Sequence, residues 1–137
     1  MSWKNVNSLK DLKKKNLHLF ISICIIVPVA IVYGLIPNSI LGEIFKSHLW
    51  TPDLANVFRA IMGLYIAMSV FWIIGTIKPR FWVAATLSNI LFMIGLALGR
   101  IASIVLDGIP STIFLSGLIV EIILAAWGTI NLKKYKL

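Results

Sequence analysis

Residues 81–106 read FWVAATLSNILFMIGLALGRIASIVL. The run holds no proline and a single charged side chain, Arg100, and it exceeds the roughly 20 residues an α-helix needs to cross a hydrocarbon core of about 30 Å. Projected at about 100° per residue, Asn89, Met93, Leu96, Arg100, Ser103 and, just past the run, Asp107 fall within about 80° of arc. Beside them Ser88, Gly95 and Gly99 form a second strip with the Gly-x-x-x-Gly spacing that lets helices approach closely. A membrane-spanning helix with one polar face accounts for the whole segment.

Working outward, the stretches 17–36, 54–77 and 110–132 meet the same criterion of length and apolarity. The chain has 59% hydrophobic and 13% charged residues, against roughly one quarter charged in soluble domains. With four such spans in 137 residues, no room is left for an aqueous catalytic domain. The fold class is therefore all-α, an integral membrane four-helix bundle forming one transmembrane domain over 1–137, with a basic tail at 1–16. Prolines mark the breaks, because a proline in the first helical turn gives up a donor that has no partner there anyway. Pro52, Pro79 and Pro110 are each expected to open a helix, with Thr51 as an N-cap and Asp53 near the positive end of the second helix. Pro28 is expected to kink the first helix. Cys24 is the only cysteine, which excludes an intrachain disulfide or a cysteine-based zinc cluster, and it reads as a small packing residue.

The formal charge of +8 divides by location. With four alternating helices, Lys4, Lys10, Lys13, Lys14, Lys15, Lys78, Arg80, Lys133, Lys134 and Lys136 share one side, and Lys46 alone falls opposite. Basic residues are retained on the cytoplasmic side, so both termini are expected there, in a multi-pass protein of the cell inner (cytoplasmic) membrane. The charge is an orientation signal, and nucleic acid is excluded as a partner. Lys13–Lys15 before an apolar run resembles a signal peptide, but the run is longer than the usual ~7–15 residues and lacks a small-residue cleavage site. It reads as a retained first helix. Between helices one and two, residues 39–50 project as a short interfacial helix, with His48 on its apolar side and Trp50 at headgroup level. Trp3, Trp72, Trp82 and Trp127 also lie toward helix ends and suit aromatic belts. No repeat aligns the two halves as in inverted-repeat transporters.

Charges inside a span cost about 2.5–3.5 kcal/mol on insertion scales, so those that persist face protein or water and have partners. Arg59, Arg100 and Glu121 qualify. In the second helix Asn56, Arg59, Ala60, Gly63 and Ala67 share one stripe; in the fourth, Gly117, Glu121, Ala125 and Gly128 do. These stripes are expected to face inward, with Gly63, Gly95, Gly99 and Gly117 as helix-packing positions. The first helix offers only His18, Ser22 and Tyr33 and is expected at the periphery. At about 1.5 Å per residue, Arg59 and Arg100 lie roughly 9–10 Å below Asp53 and Asp107, and Glu121 is near the midplane within their reach. Asn89, roughly 16 Å deeper than Arg100, belongs to another layer. The site is thus a polar cluster of Arg59, Arg100, Glu121 and Asp107, with Asn56 and Ser103 as contributors. Tyr65 projects away from its helix's polar stripe and counts for little. Such a cluster either fixes helix register as a buried ion-pair network or, through an excess of positive charge, holds an anion, which guanidinium binds well. His18 and His48 lie near opposite membrane faces and cannot form a two-histidine metal or haem site. No metal site, cofactor or catalytic residue is expected, and no phosphate loop, zinc-protease helix or nucleophile elbow occurs.

The stretch Asn56-Val57-Phe58-Arg59-Ala60-Ile61-Met62-Gly63-Leu64-Tyr65, the turn Lys78-Pro79-Arg80, and Gly99-Arg100-Ile101-Ala102-Ser103 followed by Asp107-Gly108-Ile109-Pro110-Ser111 resemble a bacterial family of small four-helix membrane proteins defined as a domain of unknown function. The resemblance spans about 54–132 and implies a membrane bundle without implying an activity. Three functions follow as expectations. The first is a non-enzymatic binding or accessory protein whose cluster holds a small anionic ligand, a lipid headgroup or a partner helix. The others are a small proton-coupled oligomeric transporter using Glu121 and an embedded enzyme on a lipophilic substrate. The expected partners are the lipid bilayer and further copies or a larger membrane complex.

Overall fold

The computed structural model describes residues 3–35 and 51–135, with side chains from residue 14 onward. Four helices make up the bundle: α1 (Trp3–Leu35), α2 (Pro52–Ile77), α3 (Trp82–Asp107) and α4 (Thr112–Tyr135). All four are long and apolar enough to span a bilayer, α1 through Lys14–Leu35. The interfacial helix expected at 39–50, with His48, lies outside the described residues.

Local chemistry sets the helix ends. Thr51 Oγ1 accepts from the Leu54 N–H at 3.2 Å, Pro52 occupies the first turn and Asp53 follows it. Pro79 opens a 3₁₀ turn, Pro79–Phe81, before α3 begins at Trp82. Gly108, at φ 98°, stops α3 in the left-handed region that glycine enters without a Cβ clash. Pro110 precedes α4 instead of opening it; the Ser111 carbonyl accepts the Phe114 N–H at 3.0 Å. Pro28 sits inside α1 without interrupting it.

Neighbouring helices run antiparallel around the ring α1–α2–α3–α4, since Asn16 meets Thr76 while Gly34 meets Met62, and Trp72 meets Ser88. The broadest interfaces are α1 with α2 and α3 with α4, so the bundle is two tight pairs joined more loosely. Leu91, Leu98, Leu106 and Ile119 point outward, which suits lipid and would be intolerable in water at this density.

Two expectations about faces are overturned. The first helix is not peripheral: His18, Leu19, Ser22, Ile26 and Ala30 are buried and Gly34 packs closely on Met62. The small-and-polar stripe of α2 is not inward either: Asn56, Arg59, Ala60, Gly63 and Ala67 are all exposed, while Tyr65, Ser69, Trp72 and Gly75 face the core. Hydrocarbon is as apolar as leucine, so burial in a bilayer follows shape and close packing more than polarity. Aromatic volume decides here. Tyr65 lies 5.1 Å from Phe92 and Phe92 5.4 Å from Trp72, ring centre to ring centre, in edge-on contacts that join the two pairs at mid-depth. Trp72 and Trp82 are accordingly interior residues, not belt residues, and Cys24 faces outward.

Candidate functional site

Toward the end of the bundle that carries Thr51 and Gly108, here the loop end, α3 and α4 bring Arg100 and Glu121 together. Arg100 Nε donates to both carboxylate oxygens, at 2.9 and 3.0 Å. Glu121 is buried, and the Arg100 side chain retains 24% exposure. The positions are fixed from both helices. Glu121 shares its face with Ala125 and Gly128, which are buried too, and Gly117 lacks the Cβ that would stand 3.5 Å from the guanidinium carbon. Phe114 offers its ring to the same guanidinium, 5.7 Å from its centre. From the other pair, Tyr33 interacts with Arg100, and its ring lies tilted against Tyr65 at 6.1 Å and edge-on to Phe58 at 5.5 Å, centre to centre.

Three cavities meet at Arg100. One of about 270 Å³ lies inside the bundle between Ile26, Tyr65, Met93, Val120 and Glu121. A second of about 300 Å³ opens between α1 and α4, past Pro28, Val32 and Phe114. A third of about 340 Å³ is a groove between α2 and α3, bounded by Phe58, Ile61, Gly95, Gly99 and Ser103. The walls are aliphatic and aromatic, and the polar groups gather around one side chain. For scale, an apolar cavity of about 150 Å³ admits benzene.

The remaining expected cluster members stand apart. Ser103 Oγ donates to Asp107 Oδ2 at 3.0 Å, and both are exposed at the end of α3, so Asp107 does not fold inward. Arg59 and Asn56 are on the outer surface of α2, and Arg59 makes no ion pair among the described residues. The interior positive excess therefore disappears: Arg100 and Glu121 neutralise each other, and the unbalanced charge within the spans is Arg59, on the outside. Gly117 packs against the site, whereas Gly63, Gly95 and Gly99 have nothing within 4 Å of an added Cβ. Tyr33 and Tyr65, given little weight from sequence, are the aromatic side of the chamber. Tyr65, Ser69 and Trp72 at i, i+4 and i+7 formed a readable stripe, masked by the smaller and more polar one opposite.

A second polar layer lies near the basic end. Ser22 Oγ donates to the His18 carbonyl at 2.9 Å and stands 3.4 Å from Asn89 Oδ1; Asn131 Nδ2 is 3.0 Å from His18 Nδ1 and 3.4 Å from the Lys15 carbonyl. His18 is thus buried in the bundle instead of interfacial. Its signal was the His18/Ser22 pair, one turn apart on one face of α1. Among the described residues no group of three or more His, Cys, Asp or Glu side chains is placed to hold a metal.

No curated protein and no solved structure matches the chain. The family described as Domain of unknown function (DUF4345) matches residues 15–132, nearly the whole bundle with Arg59, Arg100 and Glu121 inside it, and the chain belongs to that family.

Proposed function

We propose that this multi-pass protein is a non-enzymatic binding protein of the inner membrane, with its termini in the cytoplasm and its chamber toward the outer face. Its ligand is an amphiphile, with an apolar body in the chamber and an oxygen-bearing head on Arg100. The observation that carries this reading is the convergence of three apolar-walled cavities on one guanidinium. Nε is engaged by Glu121, and the Nη groups supply further N–H donors to an acceptor head. Because the pair is neutral, recognition rests on hydrogen bonds at a desolvated site more than on excess charge. The orientation is supported by Lys14, Lys15, Lys78, Arg80, Lys133 and Lys134 at one end, facing Asp53 and Asp107 at the other. Arg100 Nε engages both Glu121 oxygens, and this closed pair supports binding over proton shuttling.

Native mass spectrometry on protein extracted from its own membrane in mild detergent tests the proposal. A bound amphiphile is expected on the wild type and on Arg59→Gln. It should be lost from the paired variant Arg100→Met/Glu121→Gln, which keeps the interior neutral. Wild-type protein without a bound amphiphile, or equal retention by the paired variant, would overturn it.

A further inference from the structure

The cavities around Arg100 meet in front of its guanidinium. The interior cavity and the one between α1 and α4 share Val29, Arg100, Ile113 and Gly117. Gly117 keeps the approach open: an added Cβ there would stand 3.5 Å from both the guanidinium carbon and Nη2, an ordinary contact that would put a methyl group over the donors. Arginine has five N–H donors, of which Glu121 takes the one on Nε; the other four are on the Nη groups. Tyr33 interacts with the same guanidinium, but a hydroxyl oxygen has only two lone pairs, fewer than the Nη donors. A head entering beside Gly117 therefore meets hydrogen-bond donors.

Charge decides which heads are accepted. Arg100 and Glu121 sum to zero, and no other cation among the described residues faces the chamber: Arg59 lies on the outer side of α2, and Lys14, Lys15, Lys78, Arg80, Lys133 and Lys134 are at the basic end. A phosphate head on Nη would sit one guanidinium away from the Glu121 carboxylate, in an apolar site where like charges repel strongly. Depth adds to the cost. Arg100 is roughly 10 Å below Asp107 by helical rise, and the opening between α1 and α4 is walled by Pro28, Val32, Ile113 and Phe114. An ion passing there would give up its hydration to hydrocarbon side chains, whereas a carbonyl or hydroxyl loses far less.

We propose that the chamber selects lipids with an uncharged acceptor head, a carbonyl or hydroxyl such as a lipid quinone or a fatty alcohol carries, and excludes anionic ones. Glu121 sets this selectivity by cancelling the charge of Arg100. Resting on the amphiphile binding proposed above, the selectivity names the class of ligand.

Competition in phosphatidylcholine nanodiscs tests it. Full-length protein is offered hexadecanol and hexadecyl phosphate in equal amounts, with a decyl-substituted benzoquinone in a second arm, and native mass spectrometry reads what stays bound. The wild type should retain the alcohol or the quinone over the phosphate by about tenfold or more, and the arm that is retained separates the two sources. Glu121→Gln leaves Arg100 uncompensated and should raise the phosphate-to-alcohol ratio by about tenfold or more. Gly117→Ala, whose methyl group fits without overlap, should lower retention of the uncharged probe several-fold, while Gly63→Ala, outside the chamber, should not. Preference of the wild type for the phosphate, retention of no probe, or an unmoved ratio in folded Glu121→Gln would overturn the selectivity. If Glu121→Gln does not fold, the wild-type competition and Gly117→Ala decide, since neither disturbs the ion pair. Amphiphile binding as such is tested separately, on protein from its own membrane, so a failure of selectivity alone leaves it standing.

Discussion

The two ends of the bundle are joined differently. At the basic end, short links among the described residues join the α1/α2 pair to the α3/α4 pair: Asn131 to His18, Ser22 beside Asn89, Trp72 Nε1 to Ser88 at 3.2 Å, and Gly75 packed directly on Ala85. At the loop end the pairs stand apart around Arg100, and cavities of about 270–340 Å³ occupy the seam. Room for a ligand near the loop end and tight closure at the basic end thus come from where the sequence places large rings and where it places glycine. The difference teaches that polarity alone does not open a chamber. Both ends have a polar layer, and among the described residues the cavities gather at the loop end.

The largest effect belongs to the loop end. Arg100→Met leaves Glu121 buried without its partner, and removing one member of a buried pair costs about 3–5 kcal/mol. The paired replacement Arg100→Met/Glu121→Leu should recover most of that loss, because two apolar side chains in an apolar site need no compensation. Unfolding by SDS titration measures both. A single variant as stable as the wild type would mean that the pair is open to water, and the contrast between the ends would fail.

The glycines sharpen the contrast at the next level of energy. Gly128→Val forces a branched side chain into Ile90 where an added Cβ already stands at 2.8 Å, and overpacking of this kind costs about 1–3 kcal/mol. Gly95→Ala and Gly99→Ala meet nothing within 4 Å and remove a flexible residue from a helix, so they should leave the bundle as stable or add a few tenths of a kcal/mol. The same titration reads all three. A large loss at Gly95 or Gly99 would place those glycines in an interface with another chain.

Single hydrogen bonds across the basic end lie lower still. Such bonds in membrane bundles average about 0.6 kcal/mol, with a maximum near 1.7. Trp72→Phe keeps the ring packing against Phe92 and deletes the bond to Ser88, so its loss should fall in that range. A larger loss would show that the closure at this end depends on one bond.

How much was legible varies by feature. Helix number, the Thr51 cap and the shared face of Gly117, Glu121, Ala125 and Gly128 follow from length, turn chemistry and periodicity, which act locally. Depth put Glu121 within reach of Arg59 and Arg100 alike, and only the packing of the helices chose Arg100. The inward face of α2 was not legible. In water a stripe holding Arg59 and Asn56 would be the exposed one; in a bilayer the same stripe reads as interior, and here the aromatic payload of Tyr65 and Trp72 overrode that reading. The His18/Ser22 pair on α1 was readable, but its partners Asn89 and Asn131 sit on helices far apart in sequence, where no periodicity links them.

Arg59 gives the smallest expected change and the finest test of that lesson. It lies on the outer side of α2, roughly 9 Å below Asp53 by helical rise, a distance that a long side chain spans much of by snorkelling toward the headgroups. Arg59→Gln removes no intrachain ion pair among the described residues and leaves the packing of Tyr65 and Trp72 intact, so stability should stay within about 0.5 kcal/mol of the wild type. The Arg100–Glu121 pair should be untouched, and the amphiphile proposed above should stay bound. A loss comparable to that of Arg100→Met would put Arg59 back inside the cluster, with α2 rotated to match, and Tyr65 would then have to leave the chamber it now walls.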